Sequence, residues 1–279
     1  MHLFFTLAAG ILGLIVGSFL NVVIYRMNTG KGVGGRSQCL SCRKVLSWHE
    51  LIPILSFAWQ RGRCRSCRTP LSFQYPLVEL VTGVGFALVA HTFFWILFVN
   101  RMVYIGTLVF WLVFFCLAVV ISVYDMRHKI IPLAGLIPLV ILVVIGALFG
   151  GFLGGSFILA GWKGVSLAPL FSLFLVSAPF AFLWMYSDGR WIGFGDIEIM
   201  MLIGLFLGII PGFSAIVLAF WSGAILLISL WIGMRLRKDK HSSMSQHMNH
   251  AIPFAPFLLF GIFLVGVFGL NVFAILGGI

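Results

Sequence analysis

Eight apolar runs nearly free of charge restrict this chain to helices crossing a bilayer. They lie at about residues 3–25, 76–99, 102–124, 131–150, 166–186, 197–210, 213–234 and 253–277. Lipid offers no hydrogen bonds, so each embedded segment must satisfy its own backbone, and about 20 apolar residues make a crossing α-helix. Only 9% of the 279 residues are charged, whereas a soluble domain carries about 25%. The expected fold is an all-α polytopic membrane protein with about eight transmembrane helices. The sixth run is short and follows glycines, which predicts a helix that is tilted, broken or partly buried in the bundle. Residues 1–23 lack a basic start and are apolar for long enough to span, so they read as a first helix rather than a cleaved leader. No internal repeat is apparent.

The net charge of +11 would by itself admit a nucleic-acid partner, but the distribution of charge points to topology instead. The loop between the first two spans holds Arg26, Lys31, Arg36, Arg43, Lys44, Arg61, Arg63, Arg65 and Arg68. Basic loops stay on the cytoplasmic side. With this loop inside, alternation also places Arg127, Lys129, Arg190, Arg235, Arg237, Lys238 and Lys240 inside, and only Arg101 and Lys163 outside. Both termini then face outward. No nucleic-acid partner is expected, and the lipid bilayer is.

The organisation expected is a first transmembrane helix over 1–26, a cytoplasmic insert over 27–74 and a helical bundle over 75–279. The insert carries Cys39-Leu-Ser-Cys42 and Cys64-Arg-Ser-Cys67. Two Cys-x-x-Cys pairs at this separation suit a tetrahedral zinc ion, and four thiolates leave no open position, so the metal is expected to be structural. An insert of this size with few apolar groups needs such a staple. The fifth cysteine, Cys116, reads as a small residue inside an apolar run. Between the pairs, Trp48 to Phe57 forms an apolar patch that predicts an interfacial helix.

Two of the seven acidic residues, Asp125 and Asp196, sit at the ends of apolar runs and on the same side of the membrane. Ionisable groups at membrane depth mark functional sites by default. Asp196 ends a Gly193-Phe194-Gly195-Asp196 turn, whose glycines permit close helix approach. Two neighbouring carboxyls cannot both ionise easily, so one keeps a proton and the other acts as base, the chemistry of an aspartic peptidase. A bland reading stands beside this one, in which Asp125 ends a helix and pairs with Arg127 or Lys129.

Further motifs carry a resemblance. Gly17-Ser-Phe-Leu-Asn21-Val-Val-Ile-Tyr-Arg26, the two cysteine pairs, Trp48, Leu51-Ile-Pro53 and Arg61-Gly-Arg-Cys64 follow in order. Tyr75-Pro-Leu-Val-Glu79-Leu80, the Gly-x-Gly-Asp turn and Ile252-Pro-Phe-Ala-Pro-Phe-Leu258 complete the set. So ordered, the chain resembles the bacterial type IV prepilin (leader) peptidases over nearly its whole length. The resemblance implies an enzyme of the bacterial inner membrane with Asp125 and Asp196 as catalytic pair. It implies prepilin or pseudopilin substrates, cut after a glycine that ends a short basic leader. It further implies methylation of the new amino terminus with S-adenosylmethionine as donor. Two positions depart from the pattern: Glu198 stands where a basic residue is usual, and Leu133 follows Ile131-Pro132 where Asp or Asn is usual.

Five further residues are candidate contacts for substrate or methyl donor: Asn21, Arg26, Glu50, Glu79 and Asp188. Glu79, inside the second span, is expected to pair with Arg26 or to reach the interface, and Asn21 to bond another helix. His241, His247 and His250 fall in a polar stretch that reads as a loop rather than a metal site. The competing readings are a peptidase whose insert is only a scaffold, and a non-enzymatic transporter or scaffold.

Overall fold

The computed structural model describes residues 1–30, 32–152, 168–236 and 253–277. His241, His247, His250 and Lys163 lie outside them. The chain forms two compact units, Met1–Val120 and Ile121–Ile279. Among the described residues eight helices are 14 residues or longer, and four of them are long and apolar enough to cross a membrane alone.

The first unit contains α1 (His2–Arg26), a short 3-10 turn (Trp48–Glu50), α2 (Leu55–Trp59), α3 (Gln74–Phe93), α4 (Ile96–Val99) and the first part of α5 (Arg101–His128). Helices α1 and α3 pack along their length. Gly13 and Gly17, one turn apart on α1, make that possible. A Cβ on Gly13 would fall 2.7 Å from the Thr82 carbonyl oxygen, and one on Gly17 would fall 2.8 Å from Glu79 Cα. The second span is shorter than its apolar run, for the helix breaks after Phe93 and resumes as α4. Asn100 then starts α5, its Oδ1 accepting the N–H groups of Met102 at 2.9 Å and Val103 at 3.3 Å. The expected interfacial helix is two pieces rather than one. Pro53 has no N–H to give and disfavours helix at the residue before it, so the 3-10 turn and α2 stay separate.

The second unit holds the end of α5 together with α6 (Leu133–Phe152), α7 (Ala168–Tyr186), α8 (Phe194–Leu207), α9 (Ile209–Leu236), α10 (Ala255–Phe268) and α11 (Val272–Gly277). Helix α8 is the short sixth run, and it sits in the middle, packed against α6, α7, α9 and α10. Ile197, Ile199, Ile203 and Leu207 are almost wholly buried. A 14-residue helix is tolerable here because protein surrounds it. Gly204 lets α8 touch α7, where a Cβ would collide with the Ser172 carbonyl oxygen. The Ser172 hydroxyl also donates to the Gly204 carbonyl at 2.8 Å. On the opposite flank Gly261 of α10 lies against the Ala215 carbonyl of α9 in the same way.

Gly204→Val is therefore expected to force α7 from α8 and cost about 2 kcal/mol or more, the usual penalty of overpacking. Thermal unfolding in detergent should show a lowered midpoint; an unchanged midpoint would contradict the close packing described.

Candidate active site and metal centre

Asp125 lies one turn before the end of α5 and is 5% exposed. The helix ends there because Lys129 turns left-handed (φ 55°) and gives its N–H back to the Asp125 carbonyl at 2.7 Å. A four-residue link, 129–132, leads into α6, whose first turn bonds the Pro132 carbonyl through the N–H groups of Gly135 and Leu136. Ile131 in this link lands on Gly195. A Cβ at Gly195 would fall 2.7 Å from Ile131 Cδ1, so a larger residue there would make the Ile131 side chain shift.

At α8, Gly193 is the N-cap and Asp196 the third helical residue. The Asp196 carboxylate takes a hydrogen bond from the Gly193 backbone N–H, and a negative charge in a first turn suits the helix dipole. The Asp125 and Asp196 carboxyls are close enough for their charges to act on each other. One burial-assisted pair of carboxyls, half-open at Asp196, is thus assembled from two helix ends. Glu198, two residues on, leaves α8 about 200° round from Asp196 and faces elsewhere. Asp188 is exposed in the turn between α7 and α8, in a left-handed conformation (φ 49°).

The four insert cysteines converge, with all Sγ atoms within 4.8 Å of one another. Cys39 and Cys67 Sγ are 3.8 Å apart, and a tetrahedral ion with sulfur at about 2.3 Å sets its ligands about 3.8 Å apart. The donors fit a soft, closed metal site. Each pair is made by the same loop. Cys39 N–H bonds Lys44 O and Arg43 N–H bonds Cys39 O; Cys64 N–H bonds Thr69 O and Arg68 N–H bonds Cys64 O. Arg43 and Arg68 share a left-handed backbone (φ 58° and 56°). The two loops are copies of one eight-residue pattern, Cys-x-Ser-Cys-Arg-x-x-Leu, at 39–46 and 64–71. This repeat corrects the expectation of none, and aligning the sequence with itself at an offset of 25 residues exposes it. The Thr69 hydroxyl, 3.2 Å from Cys67 Sγ, and the Thr69 backbone N–H bring that thiol down to about 6. Replacing Cys39 and Cys64 with Ser should reduce bound metal, measured by elemental mass spectrometry, from one per chain to background. New protease cuts within 27–74 should accompany the loss.

The remaining candidates are engaged within the first unit. Asn21 donates to Gly17 O at 3.3 Å and Tyr75 O at 3.2 Å, and accepts from Gln74. Arg26 donates to the Gly32 carbonyl at 3.0 Å and to that of Gly34. Glu79, 7% exposed, accepts the Ile54 N–H at 2.7 Å and bonds the Ser18 hydroxyl. Glu79 is thus held by a backbone amide of the insert, which no pattern in the sequence announced.

Glu50 accepts the N–H (2.9 Å) and hydroxyl (3.0 Å) of Ser47, closing a capping box on the 3-10 turn. The Ser47 N–H holds its carboxyl below the usual range. A lowered folded value means that the stabilisation is complete above the unfolded value of about 4.3 and lost as pH falls through the folded one. Acidification below that range should release the Ser47 amide to hydrogen exchange in the parent chain. Glu50→Gln should lose that pH dependence, and a matching pH response in the variant would contradict the cap.

The family description Bacterial Peptidase A24 N-terminal domain matches residues 11–93. A prepilin leader peptidase/N-methyltransferase of Neisseria gonorrhoeae is 34% identical over 260 residues, covering 84% of this chain and 83% of the relative. One of Pectobacterium carotovorum is 29% identical over 286 residues, covering 94% and 91%. A relative of the same description in Myxococcus xanthus is 43% identical over 129 residues, 46% of this chain and 36% of the relative. No solved structure matches.

Proposed function

From a chain that belongs to the prepilin leader peptidase/N-methyltransferase family, we propose that Asp125 and Asp196 together cleave the leader of prepilins or pseudopilins, and that the same protein methylates the amino group so exposed. The observation that carries the peptidase reading is the approach of two carboxyls at Gly195 and Ile131. Such a pair holds one proton between two sites. The ionised member takes a proton from water, which attacks the carbonyl carbon of the scissile bond after glycine. The protonated member hydrogen-bonds the carbonyl oxygen. As the C–N bond breaks, a proton passes to the leaving amine and the pair returns to its starting state. Methyl transfer from S-adenosylmethionine then needs that amine neutral, since the lone pair takes the methyl group.

Charge distribution supports placing the insert and both aspartates on the cytoplasmic face of the inner membrane, with both termini outward. A substrate helix in the bilayer would then bring its basic leader to the aspartates from the cytoplasm. Zinc is the metal proposed for Cys39, Cys42, Cys64 and Cys67, because four thiolates in a closed tetrahedron select it and its role is to hold the insert folded.

The test is mass spectrometry of a prepilin amino terminus after incubation with the purified protein, with and without S-adenosylmethionine. Cleavage after glycine is expected, with one added methyl mass only when the donor is present. Asp125→Asn and Asp196→Asn should each slow cleavage at least about 100-fold while leaving the metal in place. Full cleavage by either variant would exclude the paired mechanism.

A further inference from the structure

The insert presents a cavity of about 530 Å³ lined by Gln60, Arg61, Arg63, Cys64, Arg65 and Arg68. Four guanidinium groups around one hollow repel each other unless an anion joins them. The first unit has few negative groups to offer, for its metal-site thiolates, Cys64 in the lining among them, would be shared with their ion. Its only carboxylates are Glu50 and Glu79, and these are taken by Ser47 and by the Ile54 N–H. The arginines stay in excess of these groups, so an anion from outside fits the hollow, and forked guanidinium groups match phosphate oxygens.

The surroundings of the cavity say which phosphate. Glu79, five residues into α3 and so about 7.5 Å along it, grips the Ile54 N–H. Phe57 of α2 meets Phe73, just before α3, edge-on at 6.1 Å. Residues 54–57 are thereby pinned to the end of a membrane-length helix. From that level α2 ends in Trp59, 81% exposed, and the arginine cavity begins at the next residue. On its other border Arg65 Nη1 lies 2.9 Å from His49 Nε2, and Trp48, 78% exposed, stands edge-on to His49. Exposed tryptophans beside clustered arginines, at the level where a helix leaves the bilayer, form the combination that headgroups attract.

We propose that Arg61, Arg63, Arg65 and Arg68 bind the phosphate groups of anionic phospholipids, with Trp48 and Trp59 entering the interface beside them, so that the insert is docked on the membrane surface. S-adenosylmethionine is a poor occupant. Its ammonium and sulfonium charges outnumber its one carboxylate, and four guanidinium groups repel the excess. The proposal does not depend on peptidase activity.

The experiment takes the full-length protein, reconstituted in phosphatidylcholine with graded phosphatidylglycerol, and counts retained lipids by native mass spectrometry. Phosphatidylglycerol should be retained in preference to phosphatidylcholine. The preference should fall about fivefold for each arginine removed, in Arg61→Gln/Arg63→Gln and then in the fourfold glutamine variant. Millimolar inorganic phosphate should not displace the lipid, and Trp48→Ala/Trp59→Ala should weaken retention while keeping the preference for charge. Metal content reports folding of each variant. Equal retention of the two lipids by the parent protein would overturn the proposal, and this comparison decides the matter if a variant loses its metal. An undiminished preference in a metal-replete arginine variant would overturn it too. Displacement by inorganic phosphate would assign the cavity to a free anion instead.

Discussion

In a bilayer, two apolar faces gain little by leaving lipid for each other, so helices of this composition must be joined by close packing and shared hydrogen bonds. Here the close packing is obtained at glycine, where one backbone comes to rest against another. Gly13 and Gly17 seat α1 on α3, Gly204 seats α8 on α7, and Gly261 seats α10 on α9. Gly195 provides a looser version beside the carboxyl pair, where the Ile131 side chain, rather than a backbone, packs against the missing Cβ.

Scarcity of acidic groups shapes the electrostatics. With seven carboxylates against eighteen lysines and arginines, the described carboxylates of the first unit serve backbone amides rather than cations. Glu50 closes a turn and Glu79 ties the insert to α3. Of the insert arginines lining the cavity, Arg65 meets the His49 ring, and no carboxylate of the unit is left over for the cluster. In the second unit the economy runs the other way, for Asp125 and Asp196 are close enough for their charges to act on each other, and the proposed peptidase chemistry would use that repulsion to hold a shared proton.

The insert needs separate support, because it has little apolar interior of its own. A doubled knuckle supplies it: two loops of one pattern offer two thiols each, and the same backbone hydrogen bonds shape both loops. Trp48 and Trp59 remain exposed because none of their indole surface is needed to build that small core.

Lipid imposes helical backbone on any long apolar run, so the order of the eight long helices among the described residues, and the short sixth one, were legible in the residues alone. The cysteine quartet was legible because Cys-x-x-Cys spacing is a local property, and the two aspartates because charge at the end of an apolar run is rare. The meeting of Ile131 with Gly195, the grip of Glu79 on the Ile54 N–H and the break after Phe93 were decided only by tertiary structure. Each depends on a contact or a backbone handover that periodicity does not encode. Asp125 and Asp196 stand 71 positions apart in the chain, and only the folding of the link after α5 onto α8 brings their carboxyls together.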